Sequence, residues 1–157
     1  MPCQPLVERD AAGPRQSACV EVEFVSARGD GTIDARLGDD WPIFNEALAD
    51  AVSSLPPRGS DETRLSTYWI DQTLSRLEVL QQHSEPRPIA SGNAYSLVFD
   101  GDGVEAVFDY GDPNEDVELM SVDDFRRILH GWRARVVVAQ AHETRTVPET
   151  YRRNPWP

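Results

Sequence analysis

The segment from Ala94 to Tyr110 is the part of this chain that most restricts its fold. Two largely apolar runs, AYSLVF and VEAVFDY, flank the short sequence DGDG. Such runs on either side of a glycine-rich turn, here Gly101-Asp102-Gly103, predict a β-hairpin. Because the strands of a hairpin are antiparallel, we expect an antiparallel sheet rather than parallel strands joined by long crossovers.

A second hairpin is predicted closer to the N-terminus. In the run ACVEVEFVSA, residues 18–27, apolar and polar side chains alternate, so that Val20, Val22 and Phe24 share one face. This alternation predicts a strand with one buried side. The sequence ARGDG then predicts a turn, and TIDARL is expected to form the return strand.

Three helices are predicted from apolar spacing and from signals at their ends. The first is expected to start at Trp41, with Asp40 as its N-cap, and to end before two consecutive prolines. The second is expected over residues 60–83, and the third from Ser121, which would form a capping box with Asp124. The third helix carries apolar side chains at helical spacing: Phe125, Ile128, Leu129, Trp132 and Val136.

Together these elements predict an α+β fold, an antiparallel sheet built from hairpins with about three helices packed on it. A chain of 157 residues matches one hydrophobic core, so we expect a single domain, over residues 18–142. Residues 1–17 and 143–157 have no apolar periodicity. We therefore predict a flexible lead-in and an Arg- and Pro-rich tail.

The composition excludes several kinds of chemistry. All 15 basic residues are arginine, so no mechanism can use a lysine amine. Two cysteines, Cys3 and Cys19, are too few for a disulfide framework or a four-ligand metal site, and we expect neither a cofactor nor a metal. No run of residues has the apolar length of a secretory signal or a membrane span, so we expect a cytoplasmic protein.

The distribution of charge is the most specific indication of function. The formal net charge of −12 disfavours nucleic acid and anionic membranes as partners and favours a basic protein. Ten acidic residues and no basic one lie between Pro88 and Phe125, and Tyr110 among them is a candidate anchor for a partner. Alternatively, the Arg-rich C-terminal helix and tail neutralise this stretch, or it is a solvated face. The residues predicted to bind the partner are Asp100, Asp102, Asp109, Tyr110, Asp112, Glu115, Asp116 and Glu118.

The string SLVFDGDGV also matches the way in which haloacid-dehalogenase-like phosphatases present two aspartates beside magnesium. Asp100 and Asp102 would then be the nucleophile and the general acid. Only 57 residues follow Asp100, too few for the remaining parallel strands, and the chain has no lysine for the phosphoryl site. Because a hairpin turn explains the same residues, we expect no enzymatic activity.

Over about residues 68–134 the chain resembles the small acidic immunity proteins of bacterial polymorphic toxin and contact-dependent growth inhibition systems. In that family, a Gly-Asn-x-Tyr hairpin precedes an acidic segment and a helix with a Leu-x-x-Trp pattern. The resemblance implies a cytoplasmic protein that binds and neutralises the toxin domain of a cognate effector. If the toxin is a nuclease, an acidic inhibitor would complement its basic cleft. The matching residues are Gly92, Asn93, Tyr95, Asp109, Tyr110, Phe125, Leu129 and Trp132.

Two other functions remain open at this point. The chain is an acidic adaptor or regulatory module for another basic protein, or a small metal-dependent hydrolase whose carboxylates assemble only in space. An immunity gene should directly follow a large secreted-toxin gene, which separates it from an adaptor. A bound divalent metal would favour the hydrolase.

Overall fold

The computed structural model describes residues 20–26, 31–60, 65–83 and 85–145, with only the backbone for residues 143–145. The predicted lead-in, both cysteines, most of the ARGDG turn and the chain beyond residue 145 lie outside these residues. Within them, three helices and two antiparallel sheets form a single compact α+β domain. The predicted fold class is confirmed.

Six strands make up the two sheets, and both predicted hairpins are present. The first hairpin is a two-stranded sheet, and the other four strands pair with their neighbours in chain order. The strands are β1 (Val22–Ser26), β2 (Ile33–Leu37), β3 (Arg87–Ser91), β4 (Tyr95–Phe99), β5 (Gly103–Phe108) and β6 (Val117–Ser121).

The helices are α1 (Pro42–Ala51), α2 (Tyr68–Leu80) and α3 (Val122–Arg145). Their apolar side chains share one core with β2 and with one face of the four-stranded sheet. The predicted apolar face of α3 is confirmed, since all five of its residues are buried. Trp132 is 1% exposed, and its indole Nε1 donates a hydrogen bond of 2.7 Å to the carbonyl oxygen of Ile33.

Three boundaries of the first two helices were predicted wrongly, one of them the end of the second helix, which is Leu80 rather than residue 83. The first helix ends at Ala51, because the chain turns extended at Val52 and the buried hydroxyl of Ser54 accepts the Ile33 N–H at 2.9 Å. The second begins at Tyr68, eight residues later than predicted. Ser60 and residues 65–67 are not helical, and the Ser66 N–H donates at 2.8 Å to the carbonyl of Ser54.

Two strands were not predicted, and the third helix is longer than expected. β3 contains a proline and a bulge, both typical of a strand at the edge of a sheet, which is where it lies. β6 lies inside the acidic stretch between Pro88 and Phe125, where no strand was predicted after the hairpin. At the start of α3 the predicted cap is confirmed, with the Ser121 hydroxyl accepting the Asp124 N–H at 3.1 Å. This helix continues three residues beyond the predicted end of the domain at residue 142.

Candidate protein-binding face

Seven of the eight residues predicted to bind a partner fall into two groups at opposite ends of β5. Asp100 and Asp102 lie at the β4–β5 turn. The others, except Glu118, lie in the β5–β6 connection, residues 109–116. The six residues of β5 separate the two groups by about 20 Å along the strand, given a rise of about 3.3 Å per residue. The predicted site is therefore two acidic ends of a sheet rather than one patch.

Between these ends lies the face of the four-stranded sheet that points away from the helices. Because side chains alternate along a strand, one set of residues from β4, β5 and β6 packs against the helices and the other set faces away. The first set is buried and belongs to the core: Leu97, Phe99, Val104, Ala106 and Met120. We name the second set the outer face, which consists of Ser96, Val98, Glu105, Val107, Val117 and Leu119.

The outer face is aliphatic with one carboxyl group near its centre. Its valines and leucine pack on no part of the described core, and Leu119 is 41% exposed. In register, Glu105 lies directly opposite Val98 on one side and Leu119 on the other. Sequence reasoning left Glu105 out of the predicted site, because only the pairing register places it between the two acidic ends.

Asp100 shapes the turn at one end of the outer face. Its Oδ1 accepts the N–H groups of Asp102 at 3.2 Å and Gly103 at 3.0 Å. Gly101 has a φ of +97°, which glycine adopts far more easily than other residues. Asp102 is exposed at the tip of this turn. The turn therefore holds the Asp100 carboxyl beside the outer face.

The carboxyl group of Glu105 is influenced by its neighbour Asp100. Burial raises the pKa of Glu105 above its ordinary value, and the hydrogen bond and the negative charge of Asp100 raise it further. These effects favour the neutral, protonated form of the Glu105 carboxyl over its carboxylate.

The connection at the other end of the face is held by its own acids. Asp116 Oδ2 accepts the Asp112 N–H at 2.7 Å, and Asp112 Oδ1 accepts the Asn114 N–H at 2.8 Å. A Cβ at Gly111 would lie 2.3 Å from the same Asp116 oxygen, so this close approach requires glycine. Glu115 is exposed. Asp112 and Asp116 therefore shape the loop as well as carrying charge.

Asp109 and Tyr110 connect this loop to the outer face. The hydroxyl of Ser96 donates to Asp109 Oδ2 at 3.0 Å, which places that carboxylate at the end of the face. Tyr110 is 78% exposed, with its ring edge-on to Phe108 at a centroid distance of 6.1 Å. The predicted anchor residue thus lies on the surface, beside Asp109.

The eighth residue, Glu118, faces the helices instead. Its two carboxylate oxygens accept the N–H groups of Ile43 at 3.1 Å and Phe44 at 2.8 Å, which are unsatisfied donors of the first turn of α1. Asp40, the predicted cap, does not fill this role, and Trp41 at the N-cap position makes no side-chain cap. The structure thus uses Glu118 as an N-terminal cap from a distant strand rather than as an exposed binding residue.

None of the other seven residues, nor Glu105, forms an ion pair within the part of the chain that the structure describes. The two arginines at the start of α3 pair with acids of their own first turn, Arg126 with Asp123 and Arg127 with Asp124. Neutralisation of the acidic ends by this helix is therefore not observed among these residues. The pKa of Tyr95 is raised first by burial and then by the negative charges of Glu46, Asp116 and Asp50, of which only Asp116 belongs to the two acidic ends.

Asp50 at the end of α1 is a carboxylate that holds the β3–β4 connection, and sequence reasoning missed it. It accepts the N–H groups of Ala94 at 2.8 Å and Tyr95 at 3.0 Å, and a Cβ at Gly92 would lie 2.3 Å from its carboxylate. Burial acts to raise the pKa of Asp50, but hydrogen bonds from residues 93–95 outweigh it and lower the pKa. The Gly-Asn-x-Tyr motif therefore has a structural role, because it fits the β3–β4 connection around Asp50.

A second exposed apolar surface lies on α2. Tyr68 and Trp69 pack edge-to-face with ring centroids 4.9 Å apart, and each is about 40% exposed. Arg133 of α3 forms an ion pair of 2.7 Å with Asp71, which lies close to these two rings on α2. Unlike the outer face, this surface includes an arginine, Arg133, paired with an acid. It is the alternative location for a binding site.

Comparison of the chain with protein-family models, with curated proteins and with solved structures found no match. Among the residues that the structure describes, no group of three or more His, Cys, Asp or Glu side chains is arranged to hold a metal ion. In the same residues, no helix combines the length and the apolar character that a membrane crossing requires.

Proposed function

We propose that this chain is an immunity protein, a cytoplasmic, non-catalytic inhibitor that binds the toxin domain of a cognate bacterial effector. The observation that carries the proposal is the outer face, an aliphatic sheet surface with carboxyl groups at both ends and no ion pair to them among the described residues. Leu119 is exposed and the three valines of the face are half-buried. A partly exposed apolar surface flanked by charge is typical of a surface that binds another protein.

The sign of the charge favours a basic partner. A nuclease-type toxin attracts phosphate through a basic cleft, and an acidic face would occupy the same field. With a net charge of −12, the inhibitor would associate faster with such a cleft by about 10- to 10³-fold at low salt. Fast capture is useful to an inhibitor whose target is lethal to the cell.

The proposal is tested by co-expression with the C-terminal domain that the gene directly upstream encodes. The expected result is a complex that survives purification, restored growth, and affinity that falls as salt is added, because salt screens exposed charges beyond about 10 Å at 0.1 M. A toxic upstream domain that neither binds the protein nor is neutralised by it would contradict the immunity function. Binding to a different basic protein without any effect on toxicity would support the adaptor instead.

A further inference from the structure

We propose that a strand of the protein partner adds to the free edge of β6 and extends the four-stranded sheet. The added strand is basic and largely aliphatic, and it is held mainly through its backbone. In this mode of binding, main-chain hydrogen bonds give affinity and alternate side chains give specificity. The inference deepens the proposed function, on which it rests for the identity of the partner, but the edge itself is tested without a toxin.

The hydrogen bonds between β5 and β6 show which backbone groups of β6 are used within the sheet. β6 is an edge strand and pairs on one side only. The Phe108 N–H donates to the Asp116 carbonyl at 3.1 Å, directly before the two strands pair. Because every second residue of an antiparallel pair bonds to the neighbouring strand, Glu118 and Met120 continue this series. The backbone groups of the residues between them therefore point away from β5.

The outward-pointing backbone groups are the N–H and C=O of Val117 and of Leu119. Within residues 20–26, 31–60, 65–83 and 85–145, no group outside β5 forms a hydrogen bond to these four. Both side chains belong to the outer face, and Leu119 is 41% exposed. An incoming strand would therefore meet two donors and two acceptors along one line, with aliphatic side chains beside them.

The opposite edge of the sheet is protected against another strand. β3 contains Pro88, which has no N–H, and a bulge between Pro88 and Ala90. Helix α2 packs beside this strand, and Arg76 Nε donates to the Pro88 carbonyl at 3.5 Å. Prolines, bulges and covering elements are common ways in which proteins block an edge. β6 has neither a proline nor a bulge, and its five residues pair with β5 in unbroken register.

Charge determines which kind of strand fits this edge. β6 has no basic residue, and exposed acids lie near both of its ends, Glu115 before it and Asp123 after it. Asp123 also pairs with Arg126, whereas Glu115 has no ion pair to a described residue. A strand with basic residues near its ends and aliphatic residues on the outer face is complementary to this arrangement. A second copy of this chain would bring another net charge of −12 and would be repelled.

The first part of the test is amide hydrogen exchange of the full-length, ¹⁵N-labelled protein, measured by NMR. We expect the amides of Val117 and Leu119 to exchange at least about tenfold faster than those of Glu118 and Met120, which bond to β5. Slow exchange at Val117 and Leu119 in the monomer would show that another part of the chain covers the edge. Dimers that protect these amides would make a second copy the occupant. Either result would overturn the inference.

The second part is an NMR titration with the peptide acetyl-Arg-Val-Thr-Val-Thr-Val-Arg-amide. We expect a dissociation constant on the order of 1 mM, with downfield shifts and slower exchange at the amides of Val117 and Leu119. One control peptide has glutamate in place of both arginines. The other carries N-methyl groups on two adjacent central residues, so that each edge of the peptide lacks a donor. Both controls should bind at least about tenfold more weakly.

Two substitutions at one position separate the backbone of β6 from its side chains. Leu119→Pro removes an outward N–H without removing a hydrogen bond to β5, and it should weaken the arginine peptide at least about tenfold. Leu119→Ala keeps this N–H and should weaken the peptide only about threefold. If Leu119→Pro does not fold, the N-methylated peptide tests the same hydrogen bonds from the other strand. No shift at Val117 and Leu119, equal binding of either control peptide, or equal binding to two folded variants would each overturn the inference.

The outcome also separates this inference from the proposed function. If the arginine peptide pairs with β6 but the upstream domain does not bind the protein, the edge site stands and the immunity function fails. If the upstream domain binds and is neutralised while the amides of Val117 and Leu119 exchange as fast as in the free protein, the immunity function stands. The edge of β6 is then not where its partner binds.

Discussion

The two faces of the four-stranded sheet differ in burial and in charge, although their residues come from the same three strands. Leu97 and Val104 point towards the helices and are fully buried, whereas their neighbours Val98 and Glu105 point away from the described core. Hydrophobic burial that stabilises the fold is concentrated on the inner side. The outer side is left free to combine aliphatic surface with charge, which a buried face could not tolerate without partners.

The largest loss of stability is expected in the core, at Trp132. Trp132→Ala removes the largest fully buried side chain and the hydrogen bond from its Nε1 to the Ile33 carbonyl. We expect a loss of about 3–5 kcal/mol in the free energy of unfolding, enough to leave a domain of this size marginal. Chemical denaturation measures it, and an unchanged midpoint would show that α3 does not pack as described.

The second prediction compares two leucines on opposite faces of the sheet. Leu97 is fully buried on the inner side, and Leu119 is 41% exposed on the outer face. Leu97→Ala should cost about 2–5 kcal/mol, and Leu119→Ala less than about 1 kcal/mol. If both substitutions lower the denaturation midpoint by the same amount, the outer face is covered in solution and the comparison fails.

Glutamates that differ only in what they contact give the third prediction. Glu118→Ala removes the cap of α1 and should cost about 1–2 kcal/mol, because two backbone N–H groups lose their acceptor. Glu115→Ala, in the exposed part of the loop, should change stability by less than about 0.5 kcal/mol. A Glu118→Ala protein as stable as the Glu115→Ala protein would return Glu118 to the set of free surface acids.

The smallest change in stability is expected at Glu105, where a substitution should stabilise the protein rather than destabilise it. Its pKa is raised in the folded state, so this carboxyl favours folding when protonated, and that contribution is lost as the pH rises through the folded pKa. Glu105→Gln should therefore be more stable than the wild type at pH 7, by less than about 1 kcal/mol because the group is partly exposed. Thermal unfolding should show this advantage shrinking to nothing near a pH of about 4. A variant less stable than the wild type at pH 7 would mean that Glu105 already has a cationic partner.

Local signals predicted the parts of the fold whose contacts are close in sequence. The hairpin around Gly101 follows from a turn motif, and the buried face of α3 follows from five apolar residues at helical spacing. The edge strand β3 was missed because Pro88 interrupts its pattern while the strand pairs on one side only. β6 was missed because the acids around it indicate a loop when its pairing partner is unknown.

The candidate site was predicted by charge but not by geometry. The sequence shows which residues are acidic, and it identified Tyr110 as an exposed aromatic. It does not show that Glu118 meets α1, since 75 residues separate it from Ile43. Nor does it show that Glu105 lies on the same face as Val98 and Leu119, because only the register of β4, β5 and β6 decides which acids share a face with aliphatic residues.

The most direct test of the outer face as the binding surface is a substitution that replaces an acid of this face by arginine. Glu105→Arg would place a guanidinium beside Asp100 within the molecule, while Glu78→Arg makes the same change in net charge on α2. The measurement is the dissociation constant of each variant for the upstream toxin domain at one salt concentration. We expect Glu105→Arg to bind at least about 100-fold more weakly with a melting temperature no lower than that of the wild type, and Glu78→Arg to bind within about threefold of the wild type. Equal affinities for the two variants would contradict the assignment of the outer face as the binding surface.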